Sequence, residues 1–324
     1  MSGDAPPTVT VLSGGVGAAR FLGGLIDAVD DPTTITTVVN TGDDCRLHGL
    51  SISPDLDTIT YTLAGAIDPE RGWGLVDETW RAIESLDRYA AVRPSGSTAG
   101  ERWFNLGDQD LATHLYRTTR LAEGATLTEV TDEIRRAWGV PITILPMTDD
   151  RLETRIVTSS EGEVAFQEYF VRLHHSVPVE AVRFAGRAGL TDLAGAALVS
   201  AGTVVLAPSN PLVSIGPIRS LDGVDELLAA RRSSVVAISP IVGGAALKGP
   251  ADRMMTELGH EASVLGVARM YAPIADALVV DPVDADLAGA VEAAGMRCIV
   301  APSVMRTPEI ARRLAATALA AVAS

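Results

Sequence analysis

Apolar positions in this chain come as short β-branched runs near both ends and at helical intervals between them. Residues 8–12 (TVTVL) and 35–39 (ITTVV) read as buried parallel strands. Between them, residues 13–20 (SGGVGAAR) form a glycine turn running into the helix FLGGLIDAV. The first forty residues therefore predict β-turn-α-β, the start of a doubly wound sheet, after a loose tail at residues 1–7. From Thr58 to about Trp138 the spacing turns helical (TITYTLAGAI, VDETWRAIESLDRYA, DQDLATHLYRTTRLAEG, TLTEVTDEIRRAWG), with Asp108 and Thr126 as N-caps. This block is too long for one crossover and reads as a helical insertion capping the sheet's ligand-binding edge. Residues 92–102 (VRPSGSTAGER) interrupt it as a Gly/Ser/Pro-rich loop that is expected to be mobile.

Residues 141–175 alternate in strand fashion, with a hairpin closing at residues 159–162. The parallel pattern returns in TVVLAPSNPLVSIGPI and SSVVAISPIVGG, then at 277–281 (ALVVD) and 297–301 (RCIVA). A last helix begins near Pro308. The expected fold is α/β, a doubly wound, mostly parallel Rossmann-like sheet with a helical cap insertion and a small β-hairpin region. It makes one domain, with its core at about 8–57 and 176–324, the cap at about 58–140 and the hairpin region at about 141–175.

Composition narrows the partners. The 324 residues are 47% hydrophobic and 21% charged, ordinary for a compact α/β protein, and the net charge is −15. That charge argues against a nucleic-acid groove, and a phosphate-binding site here would need backbone amides, a few arginines or a divalent ion. Cys45 and Cys298 make neither a disulfide framework nor a zinc spacing. The opening MSGDAPPT does not read as a signal peptide, and no run reaches the ~18 apolar residues of a membrane span. A soluble cytoplasmic protein without a membrane partner is expected.

Candidate chemistry gathers at the predicted strand ends. After residues 35–39 come Asn40-Thr41-Gly42 and four acids read as lying in loops, Asp43 and Asp44 directly and Asp55 and Asp57 after the helix-discouraging Pro54. They suit a hard-metal site holding a phosphate-bearing substrate, and equally they suit turn closure and helix capping. Gly14, Gly15 and Gly17 let the backbone approach a ligand at a helix N-terminus, but Ala-Ala-Arg20 breaks the dinucleotide fingerprint and no P-loop lysine follows. Later strand ends supply Ser209, Asn210, Ser214 and Gly216. Trp80 reads as core, whereas Trp73 and Trp103, beside glycines, suit either packing or a planar ligand. His174-His175 reads as a loop or helix flank rather than a metal pair, since neighbours on a strand face opposite ways.

Together, SGGVGAARFLGGL, VVNTGDD, PDLDTITYTLAGAID, RGWG, WFNLGDQDLATHLYRT, ILPMTDD, APSNPLVSIGPI and SPIVGG resemble the CofD family, in order and over about residues 8–320. The resemblance implies a transferase of coenzyme F-420 biosynthesis. In that reaction the terminal hydroxyl of the deazaflavin Fo attacks a guanosine-diphosphate-linked C3 acid, and GMP leaves. The turn at residues 16–20 and the block at 68–74 look like the actinobacterial branch, which implies a phosphoenolpyruvate-derived donor rather than a phospholactyl one. It further implies Mg2+ on Asp43 and Asp55, Asp57 near the Fo hydroxyl as orienter or base, and Asn105 against Fo. The Gly14-Gly15-Gly17 turn and the Ser209-Asn210 and Ser214–Gly216 loops would hold the guanylate. Arg20 would be a phosphate partner or a solvated residue, His114 would face Fo or pack in the cap, and Asp44 would support the site. A homodimer is the family expectation. The alternative is a sugar-nucleotide-binding regulator of the gluconeogenesis-factor type, which has a different motif where this chain has residues 54–58 (PDLDT).

Overall fold

Strand β1 (Val9–Ser13) is buried along its whole length, with Val9 and Val11 in one apolar core and Leu12 in another. A strand covered on both faces belongs inside a layered α/β sheet. The computed structural model describes residues 8–323, so the expected tail at residues 1–7 lies outside them. After β1 come β2 (Ile35–Val39) and a hairpin of β3 (Cys45–Leu47) and β4 (Leu50–Ile52). Next are β5 (Thr143–Pro146), β6 (Glu153–Thr158), β7 (Gly162–Ala165), β8 (Val179–Ala185), β9 (Thr203–Leu206) and β10 (Val235–Ile238). The two-residue strands β11 (Ile241–Val242) and β12 (Ala245–Ala246), then β13 (Ala277–Val280) and β14 (Arg297–Val300), complete the set. Seven strands make one parallel sheet in the order β14-β13-β10-β9-β1-β2-β5.

Helices cover both faces. On one lie α1 (Gly15–Ile26) and α2 (Pro54–Leu63), with Leu22, Leu25, Leu56 and Ile59 against Val9, Val11 and Val39. The cap carries the short helices α3 (Arg81–Ser85) and α4 (Asp87–Ala90), then α5 (Asp110–Ala122) and α6 (Leu127–Ala137). The second face is built by α7 (Asp192–Ser200), α8 (Ile215–Arg219), α9 (Val224–Ala230), α10 (Ala251–Glu257), α11 (Val264–Tyr271) and α12 (Ala288–Ala293). The closing helix α13 (Pro308–Ala323) returns to pack on α1. Pro308 opens it, as the sequence predicts.

Several expectations change. Pro54 does not discourage a helix but starts one: it occupies the first position of α2, where a missing N–H costs nothing and the fixed φ is already helical. Asp55 and Asp57 therefore sit in a first helical turn, not a loop, where the helix dipole favours carboxylates. Asp108 does not cap the helix after it. Its carboxylate accepts from the N–H groups of Arg81 and Ala82 (3.1 and 3.0 Å) at the start of α3. In exchange, Glu78 accepts from Gln109 and Asp110 (2.7 and 3.1 Å) at the start of α5. A cap needs only an oxygen near free N–H groups, and chain proximity in three dimensions supplies it. Thr126 does cap α6, in a capping box with Glu129.

The remaining changes concern the partition. Of the segment at 141–175, β5 joins the central sheet, whereas β8, expected in the core, adds to the small antiparallel sheet β7-β6-β8. The block at 58–140 is partly a layer of the main fold, because α6 packs on β5 and Leu127 enters the core beneath the sheet. The region around β3, β4, α3 and residues 103–111 has its own small core, of Leu47, Ile52, Ile83 and Leu106.

Candidate functional site

Strand order reverses at β1: the chain moves to β2 and β5 on one side and later returns to β9 on the other. In open α/β sheets the loops leaving the strands part at such a point, and a crevice forms beyond their carboxyl ends. Here the glycine turn after β1 meets the loop after β9. Ser209 Oγ donates to the Gly14 carbonyl (2.7 Å), and a Cβ on Gly14 would stand 2.6 Å from that of Ser214. A Cβ on Gly17 would run into the Pro208 carbonyl oxygen. Replacing Gly17 by alanine is expected to cost about 1–3 kcal/mol through overpacking against backbone that cannot rotate away. Equilibrium denaturation of the variant checks this; unchanged stability would mean that the two loops do not press together.

The acids after β2 meet the same turn. Asn40 is fully buried and organises them: its Nδ2 donates to Asp55 Oδ2 (2.9 Å) and its Oδ1 accepts from the Gly42 N–H (2.8 Å). Asp55 also accepts from the Gly15 backbone. The Ser53 hydroxyl, free of any capping duty, donates to Asp44 Oδ2 (2.7 Å). Asp43 and Asp55 are 6% and 8% exposed. Among the described residues, Asp43 Oδ1 and Asp44 Oδ1 are buried with no hydrogen-bond partner.

Burial disfavours charge on all three groups. It raises the Asp43 carboxyl well above the usual range, with help from the neighbouring charge of Asp55. It pushes Asp55 to about 6, against the opposing hydrogen bonds from Asn40 and Gly15. Asp44 rises to about 8 through burial, although Ser53 and Arg117 oppose it. Three carboxyls with surplus proton affinity and two unpartnered oxygens make a site suited to a hard cation.

Asp57 points elsewhere. Both of its oxygens face Arg117, and its Oδ2 lies 3.7 Å from His114 Nδ1. Asp57, Asp110 and His114 bring one ligand atom each within 4.8 Å of one another, a spacing that can also hold a cation. The guanidinium of Arg117 already supplies positive charge beside that trio.

The other expected residues divide. Gly14, Gly15, Gly17, Ser209, Ser214 and Asp55 converge at the crevice. Asn210 spends its Oδ1 on the Leu212 N–H (2.9 Å), folding the loop that carries Ser214, and Gly216 lies in the first turn of α8. His114 is 1% exposed among Asp57, Arg117 and Asp110. Asn105 and Arg20 are exposed and not hydrogen-bonded to the acids. Arg20 lies near Lys248, the chain's single lysine; burial and then Arg20's charge hold that lysine below its ordinary pKa. Trp80 is not core: it and the exposed Trp73 flank Arg71, with the guanidinium 5.2 and 5.6 Å from the two rings. His174 and His175 lie in a turn with positive φ.

Sequence reasoning missed Asn40, Asp110, Arg117 and Tyr61 as part of this site. A signal was present for three of them. Asp110, His114 and Arg117 share a helix face at i, i+4 and i+7, and Tyr61 stands one turn beyond Asp57.

The family described as 2-phospho-L-lactate transferase CofD matches residues 9–301. A phosphoenolpyruvate transferase of Kitasatospora aureofaciens is 42% identical over 318 residues, covering 96% of this chain and 97% of the relative. One from Mycobacterium tuberculosis is 41% identical over 282 residues, covering 81% and 83%. Among solved structures, a Bacillus halodurans protein of the UPF0052 family aligns with a TM-score of 0.60 at 14% identity, covering 98% of this chain and all of the other. That likeness bears on the fold alone. Among the described residues, no helix is long and apolar enough to cross a membrane.

Proposed function

We propose that this chain, which belongs to the CofD family, transfers a C3-acid phosphoryl group to the terminal hydroxyl of the deazaflavin Fo in coenzyme F-420 biosynthesis. The hydroxyl oxygen bonds to the phosphorus that bears the C3 acid and gives up its proton; the bond from that phosphorus to the bridging oxygen breaks, and that oxygen leaves as a phosphate oxygen of GMP, which can take the proton. The name shared by the actinobacterial relatives supports an enolpyruvyl donor over a lactyl one. The observation that carries the reading is the cluster of buried, unpartnered carboxylate oxygens set against the glycine turn at the switch point.

Phosphoryl transfer asks a protein mainly for alignment and charge neutralisation. Mg2+, held by Asp43 and Asp55, would neutralise diphosphate oxygens. The turn at Gly14, Gly15 and Gly17, with Ser209 and Ser214, offers backbone and hydroxyl groups to the guanylate. Arg20 and Lys248 make no ion pair among the described residues, so two neighbouring cations stand available to an anion. Asp57 orients the acceptor hydroxyl. A homodimer in the cytoplasm belongs to the same reading. The regulator of the gluconeogenesis-factor type is not favoured, since relatives at 42% identity over nearly the whole chain carry a transferase name.

The test is incubation with Fo, magnesium and either enolpyruvyl- or lactyl-diphosphoguanosine, with mass analysis of the product. Turnover of neither donor would sink the reading. Binding of the ion has its own signature. Asp55 at about 6 and Asp44 at about 8 lie above the ordinary unfolded value of ~3.9. Between about pH 4 and pH 8 the folded chain thus holds more protons than the unfolded one, and metal-free stability falls as pH rises. A cation replaces those protons, so magnesium is expected to raise the melting temperature more at pH 8 than at pH 5. A shift of equal size at both would count against a metal on these acids.

A further inference from the structure

Asp57 stands in a ring of buried and half-buried side chains shared by α2 and α5. On α5, Asp110, His114 and Arg117 project from one face; across from them, α2 presents Asp57 and Tyr61, one turn apart. Arg117 is 2% exposed. Its Nη1 donates to Asp57 Oδ2 (3.1 Å) and its Nη2 to Asp57 Oδ1. The same Nη1 lies 3.3 Å from His114 Nδ1. A guanidinium has no acceptor, so Nδ1 accepts and the imidazole proton sits on Nε2, 3.2 Å from Asp110 Oδ2. Tyr61 then donates to Asp110 Oδ1 (2.8 Å), bringing the ring back to α2.

Asp57 is the member of this ring whose helix turn also carries an acid of the crevice, Asp55, two residues away. A buried ion pair adds little net stability over apolar packing of the same volume, but it sets direction firmly. We propose that Arg117 is the positioning residue of the transfer. Its fork fixes the rotation of the Asp57 carboxylate, so that the lone pairs left over point at the acceptor hydroxyl, while His114, Asp110 and Tyr61 fix the fork. This rests on the transferase reading. Arg117 is itself buried and acts through Asp57.

Arg117→Lys keeps a cation but loses the fork. Misplacing a reacting group by about 1 Å can cost on the order of 100-fold. Turnover of Fo with enolpyruvyl-diphosphoguanosine is therefore expected to fall about 100-fold in kcat, with KM for the donor within twofold and the circular dichroism unchanged. Arg117→Ala should lose more, and millimolar guanidinium should restore part of kcat, which a merely structural residue would not do. An active original chain with Arg117→Lys at more than a third of its kcat would overturn the positioning role alone. So would a folded Arg117→Ala that guanidinium does not rescue, or loss of the fold in both variants. An original chain that turns over neither donor overturns the reaction and this role together.

Discussion

Replacing Asp55 by asparagine is expected to lower turnover by about 10²–10³-fold while leaving the metal-free protein at pH 8 as stable as the original or more so. The two effects have opposite signs for one physical reason. Asp55 is buried beside Asp43, and burial raises the proton affinity of both. At pH 8 the folded chain must keep a charge in a poor dielectric or hold a proton that water would take. An asparagine of the same shape keeps one acceptor oxygen for the Asn40 amide and carries no charge beside Asp43. Repulsion is relieved and no cavity opens. The same change removes a carboxylate that would hold the cation against the diphosphate, and metal stabilisation of transferring phosphoryl charge is worth several kcal/mol, each 1.4 of which is tenfold in rate. Steady-state turnover together with a thermal melt at pH 8 measures both. A variant that kept more than a tenth of the original turnover would remove Asp55 from the metal site.

Asp57→Asn is expected to behave in the opposite way, destabilising the fold by about 3–5 kcal/mol, because it strands the Arg117 guanidinium in the interior. The neutral amide gives the fork one acceptor where two are now used, and turns its NH2 toward donors. Equilibrium denaturation reads the loss, and for a chain of this size it amounts to several degrees in the melting midpoint. A cost below about 1 kcal/mol would show the pair to be weakly coupled. The consequence for mechanism is direct. Lost activity in Asp57→Asn alone cannot be assigned to a missing base, since the variant also disturbs its neighbour. Asp57→Asn combined with Arg117→Gln restores a neutral, mutually hydrogen-bonded pair. The double variant should therefore recover stability relative to Asp57→Asn without recovering turnover.

Much of the fold is legible because buried parallel strands announce themselves. The run at 35–39 has the observed bounds of β2, and β9, β10, β13 and β14 fall within the predicted runs. Continuous apolar stretches are what burial on both faces requires. Pairing is less legible. The alternating pattern of β5 resembles that of β6, yet β5 lies beside β2 while β6 pairs with β7 and β8, and no local property separates the two. Pro54 misleads because the same ring that breaks a helix interior fits its first turn, and only the residues after it decide between the two.

The sequence by itself determined the class of sheet, the glycine turn, the four acids as the centre of interest and the family to which they belong. Those are properties of composition, period and order, which a chain carries unfolded. Tertiary structure alone decided how the acids divide. Asp43, Asp44 and Asp55 share one desolvated pocket under Asn40, and their proton affinities rise because water is excluded there. Asp57, two residues from Asp55 in sequence, turns to Arg117 sixty residues away. A carboxylate's role is set by which charges and dipoles lie within a few ångströms of it, and that distance comes into being only when α2 packs against α5.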